Sequence, residues 1–574
     1  MGDSQIAADA GSDRLSNLRD GVIGHILSFL ETREAARAAT LSSRWRHVMA
    51  SVHTVSMSME PLGRPVLGYG YDGRRDHNKE RFIADVTAAL LSRNRRPSPA
   101  AASVPLRALR VSMERYWPED RSKVDQWVSY VLWHAAPEFE LDLRLGRGPI
   151  CSSPGCSLHP SYDDVADAAD SFVGDQAVAG KPPKSDDPDD NRSLRAHPED
   201  DVPSSDDEET AARSWNPPPS GEFTYTVPRG LFSCAALRSL RLGYCRLSPP
   251  AAVSLPALEA LHLTHINEDE EEHVQRLISG CPRLADLTLE ACGTVTALSL
   301  LDNTRLRRLA LRCCHNLSSL AVDTPELHSF EYRGAVPDTS LLTVGGLPSV
   351  TSCKVDICTI CPLEEAGEHV KLGSFLHQLA SAAKHLQLCS ARMGSWFVGL
   401  PVLPALRHLE LAGSVSRNDD PAVVIATASS ILRQAPNLEL LTLFFEEEAP
   451  LEAPRETEWQ WRSGPDHHAY VSRRSEGELL DAHRLHYCRH DALDDALAPA
   501  TVPPCLGSRV GKIELVHYQG GRVQRTLARF LLCNAAVLEN LYCGFAAGPH
   551  WIQMELMREM EGWVVSELAN KVLC

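Results

Sequence analysis

One spacing recurs along this 574-residue chain and limits what it can fold into. Apolar residues stand at the first, fourth and sixth places of a short segment, and a cysteine stands at the ninth. The sharpest copies are Leu237-x-x-Leu240-x-Leu242 with Cys245, Leu284-x-x-Leu287-x-Leu289 with Cys292, Leu306-x-x-Leu309-x-Leu311 with Cys314, and Val350-x-x-Cys353-x-Val355 with Cys358. Looser copies begin at Leu258, Leu327, Ala383, Leu406 and Leu438, so successive copies start 21, 26, 22, 21, 23, 33, 23 and 32 residues apart. Self-similarity at about 20–29 residues means stacked units, because no single unit can bury its own apolar face. Within each copy, alternation at the fourth and sixth places is that of a strand with one face inside.

The pattern resembles the leucine-rich repeat. That resemblance implies an α/β fold, a solenoid whose curved parallel sheet carries helices outside. The Leu positions point into the stack, and the ninth position lies inside where the chain turns. Cys245, Cys292, Cys314 and Cys358 are thereby expected as buried thiols, with no metal and no cofactor. The third, fifth and seventh positions face the concave side. They include Arg241, His262, Asp286, Glu290, Arg308, Arg312, Arg333 and Lys354, expected to contact a target protein, with Glu331, Asp356, His408 and Glu410 extending the row. A wall of mixed charge suits a protein ligand.

Composition divides the chain further. Residues 1–12 read as a flexible leader, 13–55 as a compact helical unit and 57–150 as irregular first repeats. Residues 151–222 are rich in Asp, Pro and Ser; Asp163 to Glu209 holds 16 acids against 4 bases, a net −12 of the chain's −18. Such a stretch buries too little apolar surface to offset its ordering and is expected to be disordered. Repeats resume over 223–445, a charged insertion spans 446–501, terminal repeats cover 502–545, and 546–574 reads as a C-terminal tail. Helices fit where steps are long: Glu271–Ser279, Val370–Lys384, Ala422–Gln434 and Val523–Ala536. The mildly acidic remainder argues against nucleic acid, and no apolar run reaches the roughly 18 residues of a membrane helix. Met1 to Gly11 lacks the features of a secretory signal. A cytosolic or nuclear protein with reduced thiols is expected.

The helical unit carries its own pattern. Asp20 is expected to cap a helix bearing Val22, Ile23, Ile26, Leu27 and Leu30, Thr32 to cap a second, and Leu41, Trp45, Val48 and Met49 to share a stripe of a third. The run Asp13-Arg-Leu-Ser-Asn-Leu-Arg-Asp-Gly-Val-Ile-Gly-His-Ile-Leu-Ser-Phe-Leu30, continuing through Thr32, Ala35, Leu41-Ser42 and Arg44-Trp45, resembles the plant F-box. Where that family has Leu-Pro, this chain has Leu18-Arg19. About 40 residues form too small a core to stand alone, so a partner is expected. The F-box resemblance implies a Skp-type adaptor and, through it, a cullin–RING ubiquitin ligase. It places the adaptor face on Leu15, Leu18, Val22, Ile26, Leu27, Leu30, Leu41 and Trp45. The segment Gly511-Lys-Ile-Glu-Leu-Val-His-Tyr-Gln-Gly-Gly521, followed by Leu527 to Leu541, resembles the FBD region that ends many plant F-box/leucine-rich-repeat proteins. Together these imply a non-catalytic substrate-recognition subunit; the alternative is a repeat scaffold whose F-box is degenerate at Arg19.

Other motifs carry less. Gly68-Tyr-Gly-Tyr-Asp-Gly73 matches G-x-G-x-x-G without a buried strand before it or an apolar helix after it. Cys358-Thr-Ile-Cys361 is a C-x-x-C lacking a second pair at zinc spacing. His467-His468 has no ligand partners in sequence. Ser204-Ser-Asp-Asp-Glu-Glu209 fits an acidophilic phosphorylation pattern.

Overall fold

In this computed structural model the described residues are 18–41, 45, 48–59, 73–93, 104–146, 150, 224–266, 272–344, 350–358, 366–394, 397, 399–416, 418–446, 485–487, 493 and 502–574. The leader, Leu15, most of both insertions, the Gly68-to-Asp72 stretch, Ser204 to Glu209, Cys361 and His467-His468 lie outside them. No described helix is long and apolar enough to cross a membrane.

Strands are numbered in chain order: β1 Thr54–Ser58, β2 Leu106–Ser112, β3 Ala135–Arg144, β4 Tyr225–Thr226, β5 Leu237–Gly243, β6 Cys245–Arg246, β7 Ala260–Thr264, β8 Asp286–Glu290, β9 Ala297–Ser299 and β10 Arg308–Arg312. There follow β11 Ser319–Val322, β12 Ser329–Gly334, β13 Leu342–Val344, β14 Ser352–Ile357, β15 His385–Arg392, β16 His408–Ser414, β17 Leu440–Glu446, β18 Lys512–Tyr518, β19 Asn540–Phe545 and β20 Asn570–Leu573. Fifteen of them form one sheet, in the order β1-β2-β3-β5-β7-β8-β10-β12-β14-β15-β16-β17-β18-β19-β20. Every pairing in it is parallel, and order in space follows order in the chain.

The register explains the repeated Leu. The fourth position aligns across the sheet as Leu109, Leu141, Leu240, Leu261, Leu287, Leu309, Phe330, Cys353, Leu386, Leu409, Leu441, Ile513 and Leu541. The sixth position forms a second column two residues on, from Val111 to Cys543, and both columns lie in one continuous apolar core. A one-residue slip would send every one of these side chains to the opposite face, so the pattern fixes the register.

Step length decides what covers the core. The 26-, 33- and 32-residue steps hold helices at Glu272–Ser279, Ala366–Ala380 and Pro421–Arg433. The 22-, 21- and 23-residue steps from Leu284 to Val350 are too short for a helix. They return as β9, β11 and β13, which pair into a second parallel sheet of three strands. Residues 546–574, expected as a tail, instead form a helix, His550–Trp563, and the edge strand β20. The reason is Leu556 and Met560, which bury the helix against the last repeats. In the FBD-like segment, the helix Arg522–Asn534 is entered through Gly520 at φ +72°, where an added Cβ would sit 2.6 Å from Leu556. Only glycine fits that turn without strain.

The first helices, α1 Asp20–Leu27 and α2 Thr32–Thr40, keep a small core of their own: Ile23, Leu27, Ala35, Val48 and Val52. The expected caps are displaced. Arg19 occupies the cap of α1, with Asp20 in its first turn, and Glu31 precedes α2. Thr32 turns its hydroxyl outward from the helix, accepting from Ser56 N at 2.9 Å, while Ser28 Oγ accepts from His53 N at 3.1 Å. These two bonds, with an Arg33–Asp85 ion pair at 3.6 Å, attach the helical unit to the start of the sheet.

Candidate functional site

Two surfaces concentrate the chemistry. One is the outer side of α1 and α2. Gly24 packs against Ser51, where an added Cβ would lie 2.9 Å from a backbone oxygen. That close approach sets which way α1 rolls. Ile23 and Leu27, four apart, turn inward. Val22 (44% exposed), Ile26 (39%), Phe29 (77%) and Leu30 (39%) turn outward, joined by Leu41 (85%) just beyond α2. Exposed apolar side chains of this kind leave α1 and α2 with an uncovered apolar side. Of the residues expected to meet an adaptor, Val22, Ile26, Leu30 and Leu41 are exposed. Leu27 is in the core and offers no free surface, and Leu18 and Trp45 are part-buried against that core. The sequence reading missed Phe29, although the interval i, i+4, i+7 from Val22 lands on it.

The other surface is the sheet face opposite the Leu columns. Arg241 and His262 are register neighbours there, as are Asp286 and Arg308, Glu290 and Arg312, and Glu331 and Lys354. The expected row therefore exists as one face, but its charges are committed to each other. Glu290 is wholly buried and accepts from Arg312 at 3.3 Å and Thr264 Oγ1 at 3.1 Å, with His262 at 3.5 Å. Arg312 grips Glu331 with two hydrogen bonds, 3.0 and 2.9 Å, and Lys354 lies 3.9 Å from Glu331. Arg333 pairs with Asp356 at 3.5 Å, and Arg308 with Asp286 at 3.8 Å. Burial would raise the Glu290 carboxyl, but His262, Arg312 and Thr264 outweigh it and hold the pKa at about 2. Of the expected target contacts, Glu290 is a structural anion, whereas Arg308 and Asp286 remain well exposed.

Further along, His385 and His408 stack face to face, centroids 4.2 Å apart. Thr442 Oγ1 donates to Glu514 at 3.0 Å, so at 3.1 Å it accepts from His408 Nε2, which fixes that tautomer. Glu410 accepts from Gln387 at 2.6 Å. Burial and the neighbouring His385 push the His408 pKa down to about 4.

The thiols follow the repeat at three of four places. Cys245, Cys292 and Cys314 donate to backbone carbonyls of Gly243, Leu263 and Leu289 at 3.2, 3.5 and 3.6 Å. Cys358 departs from them: it leaves the main core and sits with Cys313 and Ile150.

Comparison with known proteins bears on this geometry. Residues 498–542 match the FBD family model, and residues 212–348 match a model described as "FBD-associated F-box protein At5g56370, LRR repeats". The chain is similar to proteins that carry the names F-box, FBD and LRR-repeat. The Arabidopsis thaliana "Putative FBD-associated F-box protein At5g56560" is 23% identical over 324 residues, 55% of this chain and 64% of the relative. The "F-box/LRR-repeat protein At5g38396" is 32% identical over 134 residues, 23% of this chain and 26% of the relative. The "F-box/FBD/LRR-repeat protein At4g26340" is 23% identical over 360 residues, 62% and 73%; both are also from Arabidopsis thaliana. The chain thus spans less than two thirds of the first two relatives' length. The matched leucine-rich-repeat segment includes strands β5, β7, β8, β10 and β12 of the large parallel sheet, and the matched FBD segment includes β18.

Proposed function

We propose that this chain is the substrate-recognition subunit of an SCF-type (Skp–cullin–F-box) ubiquitin ligase, acting in the cytosol or nucleus. In this reading α1 and α2 are an F-box that docks a Skp-type adaptor, and the parallel sheet is a leucine-rich-repeat solenoid whose open face holds the target. The names of its relatives and the F-box-like sequence support it. The observation that carries it is the apolar set Val22, Ile26, Phe29, Leu30 and Leu41, left exposed beside a small separate core. The chain itself does no chemistry here. Its contribution is proximity, turning a bimolecular transfer of ubiquitin to a target Lys into a local one.

The competing reading, a non-ubiquitinating repeat scaffold, turns on Arg19. Its φ of −65° is the value a proline would impose, so the substitution has not removed the backbone geometry. A pull-down of the full chain with a recombinant Skp-type adaptor separates the two. Wild type binds at micromolar concentration and Ile26→Asp with Leu41→Asp does not; an adaptor that ignores wild type favours the scaffold.

A further inference from the structure

We propose that Cys313, His315 and Cys358 form a binding site for a borderline-soft divalent cation, Zn2+ by chemistry, that ties the turn after β10 to the turn after β14. The spacing in sequence hides this site. The three residues come from two repeats, 45 positions apart at their extremes. In the fold their ligand atoms, two sulfurs and an imidazole nitrogen, all lie within 4.8 Å of one another. Cys358 Sγ and His315 Nε2 are 4.0 Å apart.

Repeat geometry brings them together. The eighth residue of four successive repeats, Tyr244, His265, Ala291 and Cys313, takes a left-handed backbone, φ 47° to 56°. That conformation turns the eighth side chain away from the main core, and in the repeat starting at Leu306 this residue is a cysteine. The repeat starting at Val350 breaks the rule. Its eighth residue, Ile357, stays in the main core, and its ninth, Cys358, swings to the side where Cys313 lies. The strand between them, β12, ends in Gly334, which places no side chain in the gap. Parallel strands are about 4.8 Å apart, so two thiols separated by a whole strand can approach because β12 ends in glycine; the Tyr332 hydroxyl lies beside that position, 3.0 Å from where a Gly334 Cβ would be.

The distances suit a tetrahedral ion. Bonds of about 2.3 Å to sulfur and about 2.0 Å to nitrogen place S···S near 3.8 Å and S···N near 3.5 Å. Small side-chain rotations close the observed 4.0 Å to that value. Both thiols are buried and the imidazole is exposed, so the ion would be held from inside and reached from the rim. Binding releases two thiol protons to solvent, and two thiolates with a neutral imidazole leave the Zn2+ complex uncharged, as burial requires. Three protein ligands leave the fourth position to water. Cys245, Cys292 and Cys314, whose thiols donate to backbone carbonyls, belong to no such cluster among the described residues.

The test is a Co2+ titration of the reduced full-length chain under a phosphine reductant, read by optical absorption. The expected result is one equivalent bound with thiolate charge-transfer absorption and the intense visible bands of a tetrahedral site, bleached by Zn2+. Cys313→Ser and Cys358→Ser should each remove the thiolate band, and His315→Ala should weaken binding by at least about tenfold, a loss that outer-shell partners alone command. The chain has 17 cysteines, so the variants make the assignment. A wild type without the band, or a band that survives Cys358→Ser, overturns the proposal. Circular dichroism checks that the serine variants fold. If they do not, exposed His315 decides: unchanged Co2+ affinity in His315→Ala overturns it.

Discussion

Removing Arg312 should harm the fold more than removing the charge it neutralises. Glu290 has no exposed surface, and its permanently cationic partner is Arg312 at 3.3 Å. At an effective dielectric of about 20, that contact is worth roughly 5 kcal/mol before desolvation. In Arg312→Met, Glu290 keeps a hydroxyl and an imidazole 3.5 Å away but no permanent cation at contact distance. The cost should be about 3–5 kcal/mol, as for a buried charge stripped of its partner. Glu290→Gln is milder. Arg312 keeps both bonds to Glu331 and part of its contact with water, so the loss is one set of charge-assisted hydrogen bonds, about 1.5–3 kcal/mol. The double variant should be less damaging than Arg312→Met alone, because no carboxylate then remains inside. Stacked repeats contact mainly their neighbours, so the readout should be local. Amide hydrogen exchange of peptides covering β7 to β12 gives that opening free energy. If Arg312→Met costs no more than Glu290→Gln, or the double variant equals the sum of the singles, the reasoning about a buried anion is wrong.

Three further outcomes are expected. Leu287→Ala, in the middle of the buried column, should cost about 2–5 kcal/mol by the same exchange measurement, and a surface change such as Arg308→Ala within about 0.5 kcal/mol. Acid should weaken the region around β16. His408 is held neutral in the folded chain, with Lys512 and Glu514 as charged neighbours and the titratable His385 stacked on it, and takes up a proton on unfolding; stability therefore falls as pH drops from about 6.5 to about 4, and His408→Gln should flatten that part of the melting-temperature profile. Arg19→Pro should raise the stability of the helical unit by about 0.4–1 kcal/mol, because φ is already −65°; a loss would show that the Arg19 side chain or amide has an essential partner.

Much of the fold could be read from the sequence because its strands repeat a two-residue alternation. Leu240, Leu287, Leu309 and Leu409 reveal both register and buried face, and the long steps marked where helices return; the short strands β9, β11 and β13 were not foreseen. Roll and pairing could not be read this way. Which of Val22, Ile23, Ile26 and Leu27 faces inward depends on the approach of Gly24 to Ser51, a contact between segments 27 residues apart. Glu290 looks like any exposed acid until Arg312, Thr264 and His262 are brought around it from two neighbouring strands. Cys358 fits the ninth-position rule by count and breaks it in space, because a turn two repeats earlier presents Cys313. The tail expectation failed for a similar reason: Leu556 and Met560 bury a face that only the preceding repeat defines.

The account rests most on α1 and α2 presenting an apolar face to a partner. Hydrogen exchange of the full chain, with and without a Skp-type adaptor, tests this directly. Added adaptor should slow exchange in peptides covering residues 20–41 and leave β15 to β18 unchanged, and Ile26→Asp should erase the difference. Protection that appears on the sheet's open face instead, or in no peptide at all, would contradict it.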